Sequence, residues 1–430
     1  MASAAEQLAA NFNFQNLGKA KELRQRLFFT LGALIVARLG VYIPMPGIDP
    51  AMLAQQVGHA GGLLDMFDTL AGGAASRMGI FALGIMPYIS ASIIIQLMTT
   101  VFPELEALKK EGESGRKILN QYTRYGTVAL AAIQAYGIAI GLEHWGGAGA
   151  GVVLHPGFAF RIGAMITLTG GTVLLMWIGE QITSRGVGNG ISLIIFAGIV
   201  ARFPTYIKQM LEQVRTGAAN PLLLVVFAAL AVALVLGIVY VERAQRRLFV
   251  TYPKRQVGNK VYGGESSHLP LKLNVSGVIP PIFASSILLL PTTVANFNAQ
   301  NLPGWLQTVV TYISRGQLLY MVLYALLIIF FSFFYTSVVF NPEETADNLK
   351  KYGGVFPGIR PGKKSAQFID YTLTRTTVLG AIYLTVVCLI PEFMYYKYNL
   401  SFVLGGTSIL IVVSVTMDTV AQIQSHLVAQ

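Results

Sequence analysis

Long apolar runs broken by short polar segments dominate the chain. Crossing a ~30 Å hydrocarbon core takes about 20 helical residues. Runs approaching that length are Leu27–Ile43, Met78–Val101, Tyr125–Leu142, Phe158–Ile182, Ile191–Ile207, Pro221–Val241, Val275–Val294, Leu318–Phe340, Tyr371–Ile390 and Phe402–Ile423. The pattern predicts an all-α integral membrane protein with ten transmembrane helices in one membrane domain. The first run ends in Ile43-Pro44-Met45-Pro46-Gly47 without a small-residue cleavage site, so it is expected to stay as an anchor. One segment has a finer periodicity. Between Gly61 and Gly73, Leu63, Met66, Phe67 and Leu70 recur at i, i+3, i+4 and i+7, which predicts a short amphipathic helix flanked by glycines. It is too short to span, and spacing alone fits a helix lying on the membrane surface.

Composition agrees. Only 12% of the 430 residues are charged and 54% are hydrophobic, against roughly a quarter charged in soluble domains. Charge also sorts by side. With the amino terminus inside, only Arg38, Arg77, Arg161, Arg202, Lys208, Arg215, Arg315 and Lys397 of the 31 Lys and Arg fall outside. That asymmetry supports ten spans with both termini cytoplasmic. It accounts for the net charge of +11 without nucleic acid, and no DNA binding is expected. Two cytoplasmic loops are long and basic: Arg243 to Leu271 and Asn341 to Asp370. Much of this charge fits topogenic placement near anionic lipid. Lys254, Arg255 and Arg360 sit in turn-rich stretches away from the membrane ends, which suggests a docking surface.

Several chemistries are poorly matched. Gly186-Val187-Gly188-Asn189-Gly190 lacks dinucleotide-binding spacing and follows a helix, and no P-loop is present, so no nucleotide cofactor is expected. His59, His144, His155, His268 and His426 and the single Cys388 are scattered, so no metal site is expected. An inverted-repeat secondary transporter is the alternative reading. It would place ionisable groups near mid-membrane, whereas Glu180, Asp418, Arg124 and Arg375 lie near cytoplasmic span ends. Nothing in these motifs points to an enzyme.

Gly84-Ile85-Met86-Pro87-Tyr88-Ile89-Ser90-Ala91-Ser92-Ile93-Ile94-Ile95 matches Gly277 to Leu288 at six of twelve positions. The copies fall in the second and seventh spans, and a repeat of five helices is odd, so they enter the membrane from opposite sides. Inverted repeats of this kind enclose central paths. Ile85 and Ile89 stand one turn apart, Ile282 takes the place of Ile89, and Ile191 and Ile195 repeat the spacing. Such residues face lipid or pack a bundle more often than they line a pore, although an aliphatic ring can close a pore by dewetting.

Together with Lys110-Glu111-Gly112-Glu113-Ser114-Gly115-Arg116, Gly188-Asn189-Gly190-Ile191-Ser192, His268-Leu269-Pro270-Leu271-Lys272, Thr345-Ala346-Asp347-Asn348-Leu349, Pro357-Gly358-Ile359-Arg360-Pro361-Gly362 and Gly405-Gly406-Thr407-Ser408, these motifs resemble the SecY/Sec61α family from end to end. The resemblance implies a channel that opens across the bacterial plasma membrane for secreted chains and sideways into lipid for nascent membrane helices. Its halves would be residues 1–208, with spans 1 to 5, and 209–430, with spans 6 to 10, in inverted orientation around a central pore. The pore ring would be Ile85, Ile89, Ile191, Ile195, Ile282 and Ile411. The helix about 62–73, with Leu63, Leu64, Met66, Phe67 and Leu70, would be the plug. Ser90, Ile94, Gln134 and Ser286 would line the lateral gate. Lys254, Arg255 and Arg360 would receive the SecA ATPase or a ribosome, although this chain has Asn259-Lys260 where some relatives carry paired arginines. Other implied partners are the small subunits SecE and SecG, signal sequences and nascent polypeptides, phospholipid, YidC and SecDF.

Overall fold

Each apolar run contains a helix in the computed structural model, which describes residues 21–57, 68, 71–144, 151–217, 220–253, 255–257, 260–262, 266–297, 303–313, 316–398 and 406–429. The first helices are α1 Lys21–Val41, α2 Pro50–Val57, α3 Met86–Val101, α4 Pro103–Lys110, α5 Glu113–His144, α6 Phe158–Arg185, α7 Gly190–Arg215 and α8 Pro221–Arg243. Strands β1 Gln245–Thr251, β2 Arg255–Val257, β3 Lys260–Tyr262 and β4 Ser266–Lys272 follow. The chain continues through α9 Ile279–Phe297, α10 Gly304–Ile313, α11 Leu318–Val339, α12 Pro342–Lys351, α13 Lys363–Tyr398 and α14 Gly406–Ala429. Among the described residues seven helices are long and apolar enough to cross a membrane, or eight if α3 and α4, bent by 101° at Phe102, count as one. α1 falls short because Lys21, Glu22, Arg24 and Arg26 crowd its start.

The second span is shorter than expected. Helix begins at Met86 rather than Met78, and residues 71–85 form consecutive turns. Met78 (φ 46°) and Gly84 (φ 57°) adopt left-handed conformations that a helix does not contain. Close backbone approaches explain the glycine content: a Cβ on Gly79 would lie 2.5 Å from the Val41 carbonyl oxygen, and one on Gly171 1.9 Å from that of Ile80. This stretch is apolar because it is buried in protein. At its side, residues 43–49 make backbone bonds on either side of a turn at Pro46 and Gly47 (φ 88°): Met45 N–H donates to Met78 O (2.9 Å), Ile80 N–H to Ile43 O (3.0 Å) and Asp49 N–H to Val152 O (2.9 Å).

The first basic loop is also corrected, from turn-rich loop to ribbon. β1 pairs antiparallel with β4 from Gln245↔Lys272 to Thr251↔Ser266, and β2 with β3. Leu248 and Val250 alternate inward while Arg247 and Phe249 point out. The inward face packs with Leu271, Ala346, Phe356, Ala366 and Ile369, so ribbon, α12 and the start of α13 share one small core. Thr251 and Val355 exchange backbone hydrogen bonds of 2.9 and 3.0 Å across the two loops.

Two compact units emerge. One comprises Met1–Pro221, Ser286–Arg315 and Val415–Gln430, and the other Leu222–Ser285 and Gly316–Ser414. Within the first, α5 packs on α3 and α6, and α6 on α1 and α7. Within the second, α13 packs on α11 and α12.

Candidate functional site

α3 starts at Pro87-containing sequence with Ile85 as its flanking residue, and Ile89 N–H donates to Ile85 O at 3.1 Å. This places Ile85 and Ile89 one turn apart, both buried, in the first unit. Ile191 and Ile195 belong to the same unit. Asn189 sets the start of α7 by accepting from the Ile191 and Ser192 amides at 3.1 and 3.3 Å. α7 crosses α6 closely there, because a Cβ on Gly190 would lie 1.9 Å from Gly179 O. A Cβ on Gly179 would come 3.1 Å from Ile191 Cγ1, so Ile191 rests half-buried on α6, while Ile195 is buried. Ile282, in α9, and Ile411, in α14, are buried in the second unit.

The residues of the expected gate differ in environment. Ser90 and Ser286 are buried, and Ile94 is exposed. Gln134, on α5, is half-buried, and its Oε1, like that of Gln96 on α3, is buried without a hydrogen-bond partner among the described residues. Buried polar atoms are paired in the great majority of cases, so two orphans on neighbouring helices are unusual. The expected plug residues Leu63, Leu64, Met66, Phe67 and Leu70 lie outside the described residues, as does Lys254. Arg255 begins β2. Arg360 is exposed in the turn between α12 and α13, where its carbonyl accepts from Ser365 Oγ at 3.0 Å.

Ion pairs that spacing did not suggest tie the first unit together. Arg124 makes a two-pronged bond to Glu180, 2.9 Å on each arm, joining α5 to α6. At the other end of the same helix pair, Arg161 reaches Glu143 at 2.7 Å. Asp68 pairs with Arg202 of α7, and its Oδ1 accepts the Ser76 amide at 2.8 Å. Arg38 Nη1 donates to Gly72 O at 2.7 Å. The sequence signal for Asp68 was slight: it is one of two acids, with Asp65, in the segment between Gly61 and Gly73. In the second unit Glu392 is buried inside α13, two residues past the expected end of its span. The apolar run ends at Ile390, before Pro391, yet the helix passes through that proline.

The family model named SecY matches residues 79–420. The chain is 56% identical over 410 residues to Protein translocase subunit SecY of Escherichia coli (strain K12), covering 95% of this chain and 92% of that one. It is 54% identical over 416 residues to the protein of the same name from Rickettsia typhi, covering 96% of each. A solved structure described as a protein conducting channel shares the fold with a TM-score of 0.65 at 16% identity, over 93% of this chain and 92% of that one. Sec61 in the canine ribosome-channel complex from the endoplasmic reticulum gives 0.60 at 17% identity, over the same shares.

Proposed function

The chain belongs to the SecY family and is a channel subunit of the protein translocase, a multi-pass protein of the bacterial inner membrane; from that premise we propose how its residues move polypeptides. Ile85, Ile89, Ile191, Ile195, Ile282 and Ile411 form a ring around the translocation path. Residues 62–73 plug the resting pore from outside. Ser90, Ile94, Gln134 and Ser286 line a seam that opens toward lipid. Likeness to translocase subunits over nearly the whole chain, 56% identity over 410 residues, carries this reading. The buried state of five of the six isoleucines and the helical spacing of the Ile85 and Ile191 pairs support it.

An aliphatic collar offers a passing chain no specific hydrogen bond, so passage is indifferent to sequence, and the collar dewets when nothing fills it. A signal helix is selected by partition: reaching lipid through the seam gains about 25 cal/mol per Å² of apolar surface removed from water. The unpaired oxygens of Gln96 and Gln134 fit a seam whose polar atoms find partners only while a chain passes. No bond is made or broken in this scheme. Energy comes from a partner: the SecA ATPase, or a ribosome such as the one that shares a complex with the canine Sec61 channel. The partner sits on the ribbon and on the Arg360 turn, with Lys254, Arg255 and Arg360 in contact. Both termini face the cytoplasm. Residues 1–208 and 209–430 act as inverted halves. SecE and SecG complete the channel, and YidC and SecDF assist it.

The test places a photo-crosslinking residue at Ile282, with Val232 of α8, 60% exposed, as control, in membranes holding an arrested secretory protein. Crosslinks to the arrested chain from Ile282 and none from Val232 are expected. Silence at both, with translocation under way, sinks the ring.

A further inference from the structure

The pairing of Asp68 with Arg202 buries two charges beside the small residues Ala71, Gly72, Gly73, Ala74 and Ala75. Their side chains are 2% and 15% exposed. A buried ion pair gains little over an apolar contact of the same volume, because both charges give up water. Its strength lies elsewhere. It fixes register, and either charge left behind without the other is costly.

The surroundings show what register is being fixed. Asp68 binds its own segment through the Ser76 and Gly73 amides, which reach its Oδ1 and its carbonyl at 2.8 and 2.9 Å. Gly72 (φ 67°) lies against α7 so closely that a Cβ there would meet Gly198 Cα at 2.8 Å. Arg38 of α1 also donates to the Gly72 carbonyl, at 2.7 Å. On α7, Ile191, Ile195, Gly198 and Arg202 follow one another at i, i+4, i+7 and i+11, a single stripe. The face that carries two of the proposed ring residues therefore runs straight on to Gly198 and Arg202. The Arg202 guanidinium also lies over the Tyr206 ring, 4.9 Å from its centroid, which helps hold it in place.

We infer that Asp68 and Arg202 are positioning residues that latch the carboxyl-terminal part of residues 62–73 onto α7, setting how readily the resting channel opens. The inference rests on the reading of residues 62–73 as the plug. Withdrawal of that segment separates the pair, uncovers the continuation of the Ile191 and Ile195 face, and returns both charges to a wet pore. Regained hydration offsets part of the lost attraction, so the contact is specific when closed and still reversible.

The test compares Asp68→Asn, Arg202→Gln and the double variant in full-length chain, in membranes of cells that depend on it. Export of a secretory protein with a defective signal, resting ion leak and the amount of assembled chain are measured together. Each single variant is expected to raise defective-signal export about tenfold, with a matching rise in leak. The double variant should do no more than the larger single, because all three break one contact. It leaves no unpaired buried charge, so it reports even where a single variant lowers the amount of chain. A chain lacking residues 62–67 tests the plug separately. If that deletion raises leak and the double variant does not, the latch is wrong and the plug reading stands. If neither changes leak or export, both fall.

Discussion

The turns from Ala71 to Ile85 and the platform built by β1–β4 with α12 both interrupt the run of membrane helices, yet they bury opposite things. The turns bury charge and backbone: Asp68 against Arg202 just before them, Gly79 against the Val41 carbonyl, Gly84 against Ala71. The platform buries ordinary apolar side chains and leaves its cations exposed, Arg246, Arg247, Lys350, Lys351 and Arg360 among them. The difference teaches what each charge is free to do. A buried, paired cation answers to its own chain, whereas an exposed one on a separately packed body is free to answer to a partner.

Substitutions that separate the two regions follow in order of size. The largest effect is expected from Gly79→Val, whose Cβ would sit 2.5 Å from a backbone oxygen that cannot step aside. Assembled chain in detergent, followed by size exclusion, should fall about tenfold, a loss set by packing of the whole first unit. Wild-type yield would show that the turns yield easily and would erase the contrast.

Phe356→Ala comes next. Phe356 is buried in the platform core and packs edge-on against Phe368, with ring centroids 5.4 Å apart. Truncation should cost about 3–5 kcal/mol, confined to the platform. Limited proteolysis should then cut within residues 245–272 or 342–362 while the membrane helices stay intact. Simultaneous loss of the helices would show that the platform has no core of its own.

Arg360→Ala is the smallest in stability and the sharpest in function. The side chain is exposed, so melting should move by less than about 0.5 kcal/mol. Binding of SecA or ribosomes to vesicles should weaken about tenfold, and the deficit should shrink as salt rises, since a rim cation acts through attraction that salt screens. Unchanged binding at low salt removes Arg360 from the docking surface.

How much was legible depends on the length scale of each signal. Helices were readable because every span must satisfy its backbone internally across the same hydrocarbon, which imposes a long apolar run wherever it occurs. The same rule misled at Met78: an apolar run is also what a segment buried inside protein needs, and left-handed turns at Met78 and Gly84 leave no apolar signature. The ribbon was missed because its inward apolar positions, Leu248, Val250 and Leu271, are few and stand beside the cations, Arg246, Arg247 and Lys272, that drew attention to the loop. The Arg124 and Glu180 pair was visible as two residues but not as a bond, since 56 positions separate them.

From its sequence alone, this chain was determined to be a polytopic membrane protein, with ten helical stretches, cations biased to one side and motifs that resemble SecY throughout. These are local or compositional properties, and each is dictated by the solvent a segment meets. Tertiary structure alone decided that two basic loops share one core and that Gly190 lets α7 cross α6. It also decided that Asp68 meets Arg202 across 134 positions of chain. Those contacts depend on where the backbone brings distant residues, and neither hydropathy nor spacing along a single helix carries that information.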